Sequence, residues 1–77
     1  STEIKIFANN RTGMLVDISK ILTENKIDVT SMNCRTSKQG TATISMSFDI
    51  KGLEQLRHLV DKLRNVEGVL DIERTNS

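Results

Sequence analysis

The sequence is poor in the residues that stabilise small secreted domains. It has one cysteine, Cys34, with two phenylalanines and no tryptophan or tyrosine among its 77 residues. A single cysteine cannot form an internal disulfide, and a secreted domain of this size usually carries several. We therefore expect a reducing, cytoplasmic setting.

Long apolar runs and an excess of one charge are also absent. No stretch approaches the ~20 apolar residues of a membrane-spanning helix, and the first residues do not resemble a signal peptide. The formal net charge is +1, and the basic residues are scattered. These features argue against a membrane partner and against autonomous nucleic-acid binding, although a protein-guided contact to RNA stays open.

The length is that of one small domain with a barely sufficient core. The chain starts with Ser1-Thr2-Glu3 and enters a strand almost at once, without an initiator methionine. We expect residues 1–77 to be a single domain taken from a longer protein.

Apolar periodicity predicts six elements. Period-two alternation marks a strand that buries Ile4, Ile6 and Ala8, and a clearer strand with alternate buried residues over 42–50. Two segments have helical spacing, with apolar stripes formed by Met14, Leu15, Ile18, Ile21 and Leu22, and by Leu53, Leu56, Leu59, Val60, Leu63 and Val66. A short last strand follows over 69–72, and residues 75–77 are expected to fray.

Turn residues predict where the helices begin and end. Thr12 is expected to cap the first helix by accepting a backbone N–H, and Asn25-Lys26 to end that helix. Glu67-Gly68 is expected to close the second helix, with glycine just past its end.

The second strand contains a change of phase. Val29 and Met32 cannot share one face in an unbroken strand, which predicts a bulge near Thr30-Ser31. The next segment, Ser37–Gly40, is predicted to be a hairpin turn with positive φ at its glycine.

The element order βαββαβ predicts an α+β, ferredoxin-like sandwich. Each strand has one apolar side, so both helices must cover one face of a four-stranded antiparallel sheet. Right-handed crossovers then place the second and fourth strands at the edges. The other sheet face is polar, since it carries serine and threonine.

Several functions occur on this fold, and the residues favour some over others. RNA-recognition domains stack bases on exposed aromatic residues, for which Phe7 is the only candidate here. Metal chaperones need paired cysteines in the first loop, which has none. A small phosphatase would hold phosphate with an arginine such as Arg11, but would need a longer glycine-rich cradle. We predict no catalytic residue, no metal site and no cofactor.

The first loop is the best candidate site. Gly13 has two interpretations. It permits the tight turn into the helix and does nothing else, which we favour, or it also lets a ligand approach the helix N-terminus. Asn10 and Arg11 could hold a carboxylate, although an exposed loop arginine is more often solvated. The backbone N–H groups of the loop are the better donors for a small anionic or zwitterionic ligand.

With these residues in place, the chain resembles an ACT domain, a small amino-acid-sensing module of metabolic enzymes. The resemblance spans residues 4–72. The family pattern in the first loop is Asp-Arg-Pro-Gly with two apolar residues, then an acidic or polar residue and isoleucine. Asn10–Leu15, followed by Asp17-Ile18, is similar to this pattern. Asn10 replaces the usual acid and Thr12 the usual proline. Ile27 and Val29, with Ser31-Met32 behind, are also similar.

A narrower resemblance concerns the C-terminal ACT domain of RelA/SpoT-type guanosine tetra- and pentaphosphate synthetase–hydrolases. It rests on Arg35–Ala42, Leu53–Leu56 and Leu63–Val69. The resemblance implies a stringent-response regulatory domain whose catalysis lies elsewhere in the parent enzyme, and contacts with the other domains and the ribosome.

The ACT resemblance also implies a site and a dimer. Such domains commonly pair along the second strand, with the ligand between one first loop and the partner's second strand. We therefore expect a homodimer through the edge strand 27–36. The implied ligand-binding residues for a small amino acid are Asn10, Arg11, Thr12, Gly13, Met14, Leu15, Val29, Thr30 and Ser31.

Other conspicuous residues have simpler interpretations. We expect Cys34 to pack under a helix, His58 to be solvated, and Met14, Met32 and Met46 to pack in the core.

The leading hypothesis is thus a non-catalytic regulatory domain that senses amino-acid status. The alternative is a docking module that contacts protein or ribosomal RNA without a small ligand, which the replacements at Asn10 and Thr12 favour. An acyl-phosphate-type hydrolase built on Arg11 is the third.

Overall fold

The computed structural model describes residues 1–75 and contains the six elements that the periodicity predicts. In chain order they are β1 (Thr2–Asn9), α1 (Met14–Glu24), β2 (Asp28–Thr36), β3 (Thr41–Asp49), α2 (Leu53–Arg64) and β4 (Val69–Thr75). The strands form one antiparallel sheet in the order β2-β3-β1-β4. The ferredoxin-like prediction is confirmed, with β2 and β4 at the edges.

The core lies between the helices and one face of β1 and β3. Both strands bury every second residue, as the alternation predicts, and Ile4, Ile6, Ile44 and Phe48 have no exposed surface. The helices contribute Met14, Ile18, Leu22, Leu56, Leu59 and Leu63. Removing side chains of this size from water is worth about 1.5–3 kcal/mol each, so these layers drive the fold.

Helix α1 begins differently from the prediction. Gly13 occupies the N-cap position with φ of 83°, and its carbonyl accepts the first helical bond from Asp17 N at 2.9 Å. Thr12 therefore lies one residue outside the helix, and its hydroxyl does not cap it. The predicted end is confirmed: Asn25 is the C-cap, and Lys26 takes a positive φ of 56°.

The end predicted for α2 is wrong. The helix ends at Arg64, with Asn65 as its C-cap, because the Asn65 N–H turns back to the Lys62 carbonyl at 3.1 Å. Gly68 lies beyond the helix, in the turn that leads into β4. Leu53 is 65% exposed at the start of α2, so the apolar stripe is shorter than predicted.

Strand β2 is exposed along all nine residues. The predicted bulge is confirmed by a register shift between Val29 and Ser31. The packing predictions for Cys34 and Met32 are wrong, since Cys34 is exposed and Met32 is 41% exposed. The buried core draws on β1, β3, β4 and the two helices, and no residue of β2 joins it.

Strand β4 is longer than predicted. Thr75 belongs to it and donates a hydrogen bond through Oγ1 to the Glu3 carbonyl at 3.3 Å, so the expected fraying at this residue is wrong. Asn76 and Ser77 lie outside the described residues. The hairpin turn is confirmed, with Gly40 at φ of 83°.

Candidate functional site

The first loop, residues 9–13, is held between two other turns at one end of the sheet. Asn9 N–H donates to the Gly68 carbonyl at 2.7 Å, and Asn10 N–H donates to the Gly40 carbonyl at 2.8 Å. The loop is therefore fixed by both neighbouring connections, and its remaining groups have a defined direction.

Arg11 ties the loop to helix α1 and to the turn between α2 and β4. Its Nε donates to the Glu67 carbonyl at 2.7 Å, its Nη1 to the Thr12 carbonyl at 3.0 Å, and its Nη2 to Asp17 Oδ2 at 2.7 Å. The Arg11 side chain is only 26% exposed. Three of the five N–H donors of the guanidinium are thus engaged by internal partners, which leaves two for a ligand; that Arg11 holds a ligand carboxylate stays a prediction.

Gly68 lies against the same loop, at φ of +96°. A Cβ atom built on it would approach Met14 Cε to 2.8 Å and the Asn9 carbonyl oxygen to 3.2 Å. Only glycine combines this backbone conformation with so close an approach. The α2–β4 turn therefore packs directly against the start of α1.

The N-terminus of α1 has unused hydrogen-bond donors. Met14 N–H donates to the Arg11 carbonyl at 3.2 Å, but no acceptor in residues 1–75 receives the backbone N–H of Thr12, Gly13, Leu15 or Val16. Such groups carry the positive end of the helix dipole and favour an anionic partner.

A shallow pocket of about 220 Å³ opens beside these donors. Five of the six first-loop residues that are predicted to bind a ligand line it, namely Asn10, Arg11, Gly13, Met14 and Leu15, whereas Thr12 does not. The rest of the lining comes from Val16, Cys34, Thr36, Ala42 and Ile44, which no sequence motif assigns to a site. Leu15 is 43% exposed and lies at the rim.

The second group of predicted ligand-binding residues lies elsewhere. Val29 is opposite Phe48, and Ser31 is opposite Ser47, whereas the first loop meets the sheet where Asn9 is opposite Thr41. Six or seven residues of strand separate the two groups, which is about 20 Å. Within one chain, Val29, Thr30 and Ser31 do not meet the first loop.

The outer face of the sheet is polar, as predicted. A depression of about 390 Å³ there is lined by Lys5, Asn33, Arg35, Thr43 and Ser45. Phe7 is half-buried on the same face, opposite Thr43. The surface has no pair of aromatic side chains on which bases could stack.

The remaining predictions concern a metal site, His58, a hydrolase site and a membrane-spanning helix. Within residues 1–75, no group of three His, Cys, Asp or Glu side chains could hold a metal ion. His58 is exposed on α2, as predicted. The three internal bonds of Arg11 disfavour its use as the phosphate-holding residue of a hydrolase. No helix in the described part of the chain has the length and apolarity needed to span a bilayer.

Three comparisons place this geometry among known proteins. An ACT domain family model matches residues 1–74. The chain is 37% identical over 75 residues to a GTP pyrophosphokinase of Escherichia coli K12, covering 96% of this chain and 10% of that protein. It is 32% identical over 74 residues to the bifunctional (p)ppGpp synthase/hydrolase RelA of Mycobacterium tuberculosis, again covering 96% of this chain and 10% of that protein.

A solved structure agrees with these relatives. The crystal structure of the ACT domain from the GTP pyrophosphokinase of Chlorobium tepidum is 27% identical, with a TM-score of 0.85 over 96% of this chain and 95% of that one. The chain spans about a tenth of the length of the curated relatives that it matches.

Proposed function

The chain belongs to the ACT domain family, and from that premise we propose that it is a non-catalytic regulatory domain of a stringent-response guanosine polyphosphate synthetase–hydrolase. In this proposal, residues 1–77 are one module of a longer cytoplasmic enzyme. The domain senses amino-acid status by binding a small amino acid at the first loop, and it transmits the result to the other domains and the ribosome. The similarity to GTP pyrophosphokinases supports this assignment.

The observation that carries the proposal is the row of unused N–H groups beside the 220 Å³ pocket. Because three of the Arg11 donors are engaged in internal bonds, a ligand carboxylate would be bound chiefly by the backbone N–H groups of Thr12, Gly13, Leu15 and Val16. The oxygen of Asn10 would accept from the ligand ammonium. The exposed apolar side chains of Leu15 and Val16, which line the pocket, would contact the ligand's side chain.

We further propose that a symmetric pair completes the site. Strand β2 has nine exposed residues and an unpaired edge, which favours pairing with a second β2. In an antiparallel β2–β2 pair centred near Met32, Thr36 of one chain would lie beside Asp28 of the other. Each first loop would then lie near the partner's Val29, Thr30 and Ser31, which one chain alone keeps about 20 Å away.

A titration with pooled amino acids tests ligand binding. Amide NMR spectra should show shifts confined to residues 12–16 and 29–32, and a Leu15→Glu variant should lose them, since its carboxylate would occupy the free donors. Leu53→Glu, at another exposed leucine that starts the other helix, is the matched control and should bind normally. Unchanged spectra at millimolar ligand would reject sensing at this loop.

The pair is tested separately by sedimentation at high micromolar concentration. We expect a dimer that Met32→Lys weakens, whereas Leu70→Lys on the opposite edge of the sheet leaves it intact. A monomer at these concentrations would contradict the pairing of this chain. Production or hydrolysis of guanosine polyphosphate by the chain alone would contradict the non-catalytic assignment.

The internal bonds of Arg11 favour a second candidate, a docking module without a small ligand. Together with Asn10 and Thr12 in place of the family's acid and proline, they leave a ligand with few charged side-chain partners in the loop. Docking to protein or ribosomal RNA should weaken with Arg57→Glu and Arg64→Glu and be unaffected by Leu15→Glu. Cosedimentation with ribosomes measures this, and binding that depends on Leu15 alone would argue against it.

A further inference from the structure

The sheet has a second open edge, on the side away from β2. Strand β4 pairs only with β1, and a groove of about 420 Å³ runs between β4 and α2. The floor of this α2–β4 groove is apolar and consists of Leu53, Leu56, Val60 and Ile72, with the fully buried Ile4 beneath them. Leu53 is 65% exposed, so an occupant would remove a large apolar surface from water.

The rim of the groove is positively charged. Three arginines line it, Arg57, Arg64 and Arg74, against the single carboxylate of Asp61. Arg57 pairs with Glu54 at 2.9 Å, but both side chains are at least 75% exposed, and such surface pairs hold little energy. Arg74 forms no ion pair with any residue of the described range. The groove therefore favours carboxylates.

The backbone of β4 is open toward the same groove. Ile72 N–H donates to Oδ1 of its neighbour Asp71 at 2.8 Å, so it points away from β1. Bonded and unbonded residues alternate in an antiparallel strand, which also turns the backbone groups of Arg74 outward. An edge strand beside a helix with an apolar groove between them is the arrangement that accepts an added peptide strand.

The arginines fix the spacing that such a strand needs. Arg57 and Arg64 lie seven residues apart on α2, about 10 Å along its axis. Two residues on one face of a strand that are four apart are separated by about 13 Å. Two carboxylates at this spacing therefore match the two ends of the groove, with one apolar side chain between them. On the other face of β4, Asp71 and Glu73 disfavour acidic residues.

We propose that the α2–β4 groove binds an extended acidic segment of a partner protein as a fifth strand. An apolar side chain of the segment packs on Ile72, and carboxylates two residues to either side meet Arg64 at one end and Arg57 with Arg74 at the other. The incoming backbone displaces the Asp71 carboxylate from Ile72 N–H, and Arg64, 4.0 Å from Asp71, receives it. This surface is independent of amino-acid binding at the first loop.

The test uses the 77-residue chain and a labelled peptide, Thr-Glu-Thr-Ile-Thr-Glu-Thr. Two twins serve as controls: one has lysine in place of glutamate, and the other has N-methyl groups on isoleucine and on both glutamates. The N–H groups of these three residues face β4 in an antiparallel fifth strand, so their methylation blocks strand pairing. Fluorescence anisotropy should show the glutamate peptide binding at least about tenfold more tightly than either twin. Amide shifts should map to residues 70–74 and to α2.

Matched variants separate this groove from other surfaces. Leu53→Glu should weaken peptide binding about tenfold, whereas Leu15→Glu, the equivalent change on α1, should leave it unchanged. Arg57→Glu should shift the preference toward the lysine twin, which a mere loss of structure would not produce.

Three results would overturn the proposal. The first is equal binding of the lysine twin, and the second is a set of amide shifts that maps to β2. The third is binding of an oligouridine RNA that displaces the peptide and exceeds it in affinity, which would identify the groove as an RNA surface. Absence of binding at millimolar peptide would reject the groove as a binding site altogether.

Discussion

Replacing Gly68 with alanine should destabilise the fold well beyond the ordinary effect of a glycine substitution. At φ of +96° the new Cβ enters a backbone region that costs an L-residue about 1–2 kcal/mol. It also lies 2.8 Å from Met14 Cε and 3.2 Å from the Asn9 carbonyl oxygen. Met14 is 3% exposed, so its flexible side chain has to repack within the core, and the Asn9 carbonyl is backbone that yields less easily. We therefore expect a further ~1–3 kcal/mol of overpacking.

Gly40 provides the matched control. It has φ of +83°, in the same region, but no atom lies within 4 Å of the position that a Cβ would take there. Gly40→Ala should therefore cost only the backbone conformation, about 1–2 kcal/mol. Both changes reduce the freedom of the unfolded chain by a similar amount, so that contribution cancels in the comparison.

Urea unfolding of the two variants measures the difference in the free energy of unfolding. We expect Gly68→Ala to be less stable than Gly40→Ala by about 1–3 kcal/mol, with similar m-values. A difference below about 0.5 kcal/mol would show that the α2–β4 turn does not pack closely on the first loop. In a double-mutant cycle, Gly68→Ala should cost less in a Met14→Ala background than in the unaltered chain, and an equal cost in both backgrounds would refute the packing reasoning.

Three further predictions follow from other contacts. Arg11→Ala should lower the free energy of unfolding by about 1–3 kcal/mol, since it removes charge-assisted bonds to Asp17 and the Glu67 carbonyl. Arg11→Lys should not restore the lost stability, and full recovery with lysine in urea unfolding would contradict this. Leu59→Ala should cost about 2–5 kcal/mol, because Leu59 is fully buried, and a loss below about 1 kcal/mol would place it outside the core. Cys34 should react with a thiol reagent under native conditions at nearly the rate seen in urea, and strong native protection of the monomer would contradict its exposure.

The fold could be predicted from the sequence because its signals are local. The alternation of β3 and the spacing of Met14, Ile18 and Leu22 each lie within one element, and the element order then leaves few arrangements. The same reasoning could not predict that β2 is uncovered. Periodicity assigns Met32 and Cys34 to one face of the sheet, but whether a helix extends over that face depends on helix placement.

The candidate site could be predicted only in part. The glycine-containing turn before α1 directs attention to residues 10–15, and five of these line the pocket. The bond between Arg11 and the Glu67 carbonyl joins positions 56 residues apart, and no local pattern indicates it. The sequence favours Thr12 as the cap because threonine is common there, whereas Gly13 begins the helix with its own left-handed conformation.

The pairing of β1 with β4 has a mechanical consequence. Glu3 is opposite Thr75, so the outer ends of the two strands lie side by side. Tension applied between these two points would pull perpendicular to the strands and break their hydrogen bonds one after another. Strands loaded in this way open like a zipper, at lower force than strands that must slide past each other. Stretching the domain at these residues should therefore release β4 first, while the β1–β3 pair still holds.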